Sequence, residues 1–397
     1  MTGAASVQDL AYGVDSDGNI TGITDHLATA RSQVFQYDAL SRLTYASGLY
    51  GALAYGYDAV GNRTSQSGGT TNLAETYSYA ANSNQLLAVA NGGTTRSLGY
   101  SPTGNVASDN RGSGTALGFT YDLSDRMVQV ANQNQPLATY VSNFLGQRVA
   151  KTMSSTITQF VYDSAGHLLG ESNGATGAAQ TEYLWLDDTP LALVTGGNLY
   201  FIHADHLNTP QKATDAGQNL AWDLVPRPFG QAEQQTFPSL SNLGFPGQYF
   251  DVEDGLHQNG YRDYDPSIGR YVESDPIGLE GGINTYQYAN AAPAMHKDPT
   301  GLDWRDWLPW NRRKEPGKTP TPPNNPLPDL PPECRPGPTP GSFLCPLPPP
   351  GNQCNELLLT PRTDPEMGNA YRMEEVPITP PPLNCLISRA NAGRSCP

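Results

Sequence analysis

The chain is 397 residues long, carries a formal net charge of −15, and contains 41 Gly, 35 Pro and 21 Tyr. An acidic, Gly- and Tyr-rich body argues against binding of nucleic acid or of anionic membrane by that body. No run of about 18 apolar residues exists to cross a membrane as a helix, and the length leaves room for two or three domains.

The first residues, Met1-Thr2-Gly3-Ala4-Ala5-Ser6, offer neither a basic nor an apolar region, so no N-terminal signal peptide is expected. Repeats begin almost at once, which suggests a chain that has lost, or never had, a long N-terminal part. Tyr37-Asp38, Tyr57-Asp58, Tyr121-Asp122 and Tyr162-Asp163 are clean copies of one motif. Tyr79, Tyr100 and Ser142 fall in the same phase, at intervals of 20 to 22 residues, and Tyr12 with Asp15 reads as a worn first copy. An aromatic stands two positions before most of them (Phe35, Tyr55, Tyr77, Phe119, Phe160), and a Gly-containing turn follows: Gly61-Asn62, Gly104-Asn105, Gly146-Gln147, Gly166-His167.

A period of about 21 residues holds two strands of five or six residues, each followed by a turn. Gly in the turn supplies the positive φ of a tight hairpin. Aromatic-x-Tyr spacing puts both rings on one face of a strand. The rings are expected to stack on their counterparts one repeat away as an aromatic ladder. One hairpin cannot bury that face alone, so the repeats predict a long antiparallel sheet.

Beyond residue 200 the pattern changes to single-copy motifs: His203-Ala204-Asp205-His206-Leu207-Asn208-Thr209-Pro210, Pro228-Phe229-Gly230, and Phe245-Pro246-Gly247-Gln248-Tyr249. Then come Tyr261-Arg262-Asp263-Tyr264-Asp265-Pro266, Gly269-Arg270-Tyr271, Ser274-Asp275-Pro276-Ile277-Gly278-Leu279, and finally Asp298-Pro299-Thr300-Gly301-Leu302. The repeats resemble the YD repeats of the Rhs (rearrangement hotspot) family, which includes bacterial polymorphic toxins, the C subunits of insecticidal toxin complexes, and animal teneurins. The ordered motifs from 203 to 302 resemble that family's repeat-associated core, with Asn208 where Gly is usual. Ala292-Pro293 stands where Asn-Pro is usual, a departure expected to loosen the turn that presents Asp298. The resemblance covers residues 12–302.

All five Cys (334, 345, 354, 385, 396) and about two-thirds of the Pro lie after residue 302. That tail holds ten acidic and ten basic residues, so the net charge belongs to the body. Residues 316–350 read as a polyproline-like linker, extended and poorly ordered, unable to form helix or central strand. The Cys spacings fit no zinc pattern, and His296 is the last histidine, which excludes a histidine-dependent nuclease in the tail. Trp304, Trp307 and Trp310 read as the tail's packing anchor.

The expected fold is all-β: antiparallel YD-repeat hairpins forming a spiralling sheet, a partial Rhs shell, over 1–200. A core domain follows over 201–302, and then a Pro- and Cys-rich, largely irregular tail over 303–397. In the family the core is a self-cleaving aspartic protease and the tail a variable cargo. By resemblance the protease residues are Asp275, Asp298 and Arg262, with the scissile bond between Leu302 and Asp303. The residues themselves allow that chemistry. Aspartic proteolysis needs two carboxylates sharing a proton, each Asp here is stiffened by a following Pro, and Arg262 can pair with a carboxylate or orient the peptide.

Asp265-Pro266 reads as a structural turn, Asp187-Asp188 as a solvated one, and His203 and His206 as structural hydrogen-bonders, since no third metal ligand accompanies them. No cofactor and no metal are expected. The partners implied by the resemblance are the chain's own C-terminal segment as cargo, an immunity protein and a secretion-system component. The implied location is bacterial, cytoplasmic until export. Two other readings stay open: a non-catalytic YD-repeat surface or adhesion protein, and an inert remnant of a longer Rhs chain.

Overall fold

In the computed structural model, the described residues are 6–112, 114–236 and 240–307, with four strands beyond them at 335–336, 343–346, 355–361 and 371–377. Each of the first 22 strands, from Leu10–Val14 to Ala232–Thr236, pairs antiparallel with the next. The result is one long meander, open at both edges. The hairpins therefore run on past residue 200 to residue 236.

Every part of the repeat has a local physical task. The aromatic two residues before each motif Tyr (Phe35, Tyr55, Tyr77, Phe119, Phe160) is buried on the inner face. The register shifts at the motif Tyr in copy after copy, between Gln36 and Tyr37, Gly56 and Tyr57, Ser78 and Tyr79, Thr120 and Tyr121, and Val161 and Tyr162. A bulge at this point bends the strand and re-aims the side chain. The hydroxyl then donates to a backbone carbonyl of the preceding repeat: Tyr37 to Ile20, Tyr57 to Leu43, Tyr79 to Arg63, Tyr100 to Leu86, Tyr121 to Val106, at 2.8 to 3.0 Å. Trp185 Nε1 does the same to Leu168. Each such bond contributes about 1 kcal/mol.

The motif Asp closes the turn. Asp58 Oδ1 accepts from the amides of Val60 and Asn62, and its Oδ2 accepts from the Asn62 side chain. Asp38, Asp122 and Asp163 repeat the pair of amide bonds. Gly61, Gly104, Gly146 and Gly166 take the positive φ that these turns require.

The expected aromatic ladder is not there. Among the described residues no motif ring stacks on its counterpart in the next repeat. Equivalent rings are two strands apart, roughly 9–10 Å, beyond the 4.5–7 Å of ring pairs. The inner rings instead meet residues from beyond 228: Tyr55 meets Phe229, Phe160 meets Tyr249, and Tyr100 meets Tyr286.

The sheet curls until its two ends touch through side chains. Arg31 makes 2.7 Å bonds to both carboxylate oxygens of Asp223, and Tyr12 packs edge-on against His206. Inside lies a second, four-stranded antiparallel sheet, Gln248–Asp251, Leu256–Asn259, Arg262–Asp265 and Arg270–Tyr271, almost wholly buried. Repeat turns hold the segment that follows it: the Gly61 and Gly104 carbonyls accept from Gln287 and Tyr286, and Asn62 accepts from Asn284.

Residues 1–314 form one compact unit and residues 315–397 a second. The described residues of the second form four antiparallel strands, Arg335–Pro336, Phe343–Pro346, Asn355–Pro361 and Tyr371–Pro377. Phe343–Pro346 has neighbours on both sides, which corrects the expectation that no central strand forms within 316–350. It occupies the Phe-Leu-Cys gap between prolines, where backbone donors survive. The rest of that stretch lies outside the described residues, and so does Trp310.

Candidate functional site

Two identical turns mount the two candidate carboxylates. Asp275-Pro276-Ile277-Gly278 and Asp298-Pro299-Thr300-Gly301 both end on a Gly at positive φ, 60° and 69°. In the first, the Gly278 amide donates to the Asp275 carbonyl and the Ile277 amide to Asp275 Oδ1. In the second, Gly301 donates to the Asp298 carbonyl, and the Leu302 amide reaches Asp298 Oδ1 at 3.0 Å. A Cβ at Gly301 would collide with the Asn259 carbonyl oxygen and stand 3.2 Å from the Arg262 nitrogen. The turn at Ala292-Pro293 is closed by amides of Met295 and His296 on the Ala292 carbonyl.

Arg262, at the head of its strand in the inner sheet, lies between the turns. Its Nη1 is 3.0 Å from Asp275 Oδ2, and its Nη2 is 3.3 Å from Asp298 Oδ2. The same guanidinium reaches the chain that follows Asp298: Nε donates to the Gly301 carbonyl at 2.6 Å and Nη2 to the Leu302 carbonyl at 3.3 Å. Arg262, Asp275, Asp298 and Leu302 are all buried. The structure thus brings the three candidate residues together at the Leu302–Asp303 peptide.

Gly281 forms the near wall. A Cβ there would overlap Asp275 Oδ2 and lie 3.1 Å from the Leu302 carbonyl oxygen. Its φ of −71° and ψ of −19° suit any residue, so the constraint is space alone.

Burial pushes the Asp275 carboxyl up to about 6; Arg262 opposes this, and the charges of Asp298 and Asp303 add to it. The cause is chiefly desolvation rather than mutual repulsion of a facing pair, because the guanidinium stands between the two acids. Asp298 receives more donors: Arg262 Nη2 and the Tyr271 hydroxyl (2.9 Å) on Oδ2, the Leu302 amide on Oδ1.

The other marked residues have structural tasks. Asp265 pairs with Arg96, and despite burial Arg96 and Arg111 hold its carboxyl down to about 2. Asp205 accepts from the amides of Leu207 and Thr209, so the His203–Pro210 motif is one more repeat turn. His203 bonds Thr214, and His206 bonds the Ala294 carbonyl. Asp188 Oδ1 pairs with the His167 ring at 3.2 Å. Trp304 packs its ring on His296 at 4.2 Å. Among the described residues no group of three or more His, Cys, Asp and Glu is placed to hold a metal, and no helix is long and apolar enough to cross a membrane.

Reasoning from sequence passed over Tyr271, Asn259 and Gly281. It also passed over a second buried acidic cluster, Asp251, Glu253, Asp254, Asp263 and Glu273, met by Arg148 and Lys151 from the repeat sheet. Burial raises Asp263 to about 6 and pushes Asp254 and Glu273 well up.

A family model described as the teneurin YD-shell matches residues 183–293, across the end of the curled sheet and the whole of the inner one. The chain resembles the Rhs/YD-repeat proteins. It is 30% identical over 241 residues to the double-stranded DNA deaminase toxin A of Burkholderia cenocepacia, covering 51% of this chain and 16% of that protein. It is 45% identical over 102 residues to toxin protein Tse5 of Pseudomonas aeruginosa, covering 26% of this chain and 8% of Tse5. The chain therefore spans less than a fifth of either relative's length. The Tc holotoxin pore of Photorhabdus luminescens, in a form with mutated TccC3, shares the fold over 75% of this chain and 17% of its own, at TM-score 0.60 and 18% identity.

Proposed function

We propose that this protein is the C-terminal portion of an Rhs-type toxin carrier that cuts its own chain between Leu302 and Asp303 and so frees the segment from 303 onward as cargo. One observation carries the reading: a single buried guanidinium holds both carboxylates and the carbonyls of Gly301 and Leu302. In the proposed reaction water attacks the Leu302 carbonyl carbon. Asp275, titrating near 6, takes the water's proton and returns it to the Asp303 nitrogen as the C–N bond breaks. Arg262 Nη2 stabilises the oxyanion. Asp298 holds the peptide through the Leu302 amide and keeps Arg262 aligned. The products are a Leu302 carboxylate and a free Asp303 amine. Relatives carrying toxin names support a cargo role for the tail and export from a bacterium; an immunity partner is part of the same proposal.

Intact mass and N-terminal sequencing of freshly made protein at neutral pH test this. The expected result is a new N-terminus at Asp303, absent from Asp275→Asn and Asp298→Asn. Fragments ending at Asp275 or Asp298 are acid artefacts of Asp-Pro bonds and do not count. A chain that stays whole, with both Asn variants behaving alike, would overturn the reading in favour of an inert Rhs remnant whose buried ion triad serves only as a lock.

A further inference from the structure

We infer that Tyr271, locked by Asn259, is a positioning residue that makes the two carboxylates unequal: it keeps Asp298 the peptide-holding anion and leaves proton exchange to Asp275. The inference rests on the self-cleavage reading and adds residues to it.

Tyr271 is wholly buried, and its ring lies 3.7 Å beneath the Arg262 guanidinium. Its backbone amide is fixed on the Tyr286 carbonyl, and its ring is wedged between Tyr264 and Tyr288 at 5.9 and 5.8 Å. A phenol has one proton to give. Asn259 Nδ2 donates to the Tyr271 oxygen at 2.8 Å and to the Asp298 backbone carbonyl at 2.9 Å. With an incoming donor on its oxygen, the hydroxyl can only point its own proton outward, and Asp298 Oδ2 is the acceptor at 2.9 Å. Asn259 thus acts as a clip: one amide group orients the phenol and pins the turn that carries Asp298.

Asp298 then faces Arg262 from one strand, Tyr271 from the next, Tyr288 from the closing segment, and the Leu302 amide of its own turn. Asp275 faces Arg262, Asp298 and Asp303, and has no phenol. A hydrogen bond to the charged form of a carboxylate favours that form, and of the two acids it is Asp298 that receives the phenol's. The ring has a second effect. A flat face under the guanidinium confines it to the plane in which Nη1 meets one acid and Nη2 the other.

Two measurements test this. The first is the pH profile of self-cleavage, followed by intact mass after cell-free synthesis and quenching at set times between pH 5 and 9. Tyr271→Phe keeps the ring and removes the proton. It should slow cleavage about tenfold near pH 6, with most of the rate regained by pH 8, because losing one charge-assisted bond disfavours the anion. Asn259→Ala should move the profile the same way by less. An equal loss at every pH in both variants would overturn the positioning role and leave a packing defect.

The second measurement does not depend on cleavage. In an Asp275→Asn chain, carbon NMR of labelled Asp carboxyls follows the titration of Asp298, and Tyr271→Phe should move its midpoint upward. If the natural chain forms no terminus at Asp303, the self-cleavage reading falls while this shift can still stand. If the midpoint does not move, the inference on Tyr271 falls whatever the chain does.

Discussion

The repeat sheet and the inner sheet are built from the same residues, Tyr, Asp, Arg and Gly, used in opposite ways. In the repeats each has one task performed many times over: Tyr57 bonds the Leu43 carbonyl as Tyr79 bonds that of Arg63, and Asp58 closes its turn as Asp122 does. In the inner sheet every task is performed once and in the dark. Arg262 serves two carboxylates and three carbonyls, and Arg148 crosses from the repeats to Asp251. Redundancy spreads stability across the shell; uniqueness concentrates chemistry in the core.

Breaking the inner sheet should therefore cost the most. Arg262→Ala leaves Asp275 and Asp298 buried without their cation, and removing one partner of a buried ion pair destabilises by about 3–5 kcal/mol. Denaturant titration should show that loss together with complete loss of the Asp303 terminus. Arg148→Met, well away from the candidate site, should cost less, since Lys151 still meets Asp251 after Arg148 is gone, while Asp303 still appears in whatever fraction folds. Gly281→Ala should cost roughly 1–3 kcal/mol, because its Cβ overlaps the buried Asp275 Oδ2 although the backbone suits Ala, and should cut the cleavage rate at least about tenfold by crowding Asp275 and the Leu302 carbonyl.

The same edits in a repeat should be mild. Tyr57→Phe removes one hydroxyl bond and should cost about 1 kcal/mol by the same titration, with self-cleavage unchanged. The smallest effect is a matter of pH. Glu273, Asp254 and Asp263 have folded-state values raised by burial, so their contribution to stability is full below the unfolded value near 4 and is lost as pH rises through about 6 and beyond. His257, lowered to about 4 by burial, acts the other way, costing stability as pH falls from 6.5. Glu273→Gln should gain on the natural chain as pH rises from 5 to 8; a constant difference would break this assignment.

What sequence could reveal follows the same divide. Period, turn glycines and buried rings were legible because copies confirm one another. Asp275, Asp298 and Arg262 were legible only through ordered motifs resembling a family. The ladder of stacked rings was a wrong inference from a right pattern: it ignored the return strand between copies. Tyr271 could not be singled out, being one of 21 tyrosines, and Asn259 carries no motif of its own. Their importance arises where the chain folds back on itself, Asn259 meeting Asp298 across 39 residues. The tie between Arg148 and Asp251, 103 residues apart, was hidden for the same reason.

The meander also sets an order of events in time. Each of its strands pairs only with its chain neighbours, so hairpins can zip up one after another as the chain leaves the ribosome. The inner sheet and its closing segment are synthesised after the meander, and they dock on residues far behind them: Gln287 on Gly61, the Ile20 amide on Met295. Asp298 is the last of the three candidate charged residues to emerge and is positioned by contacts from several strands already in place. If the chain cuts itself as proposed, a shell assembled in that sequence completes its cutting site only after the meander around it has formed.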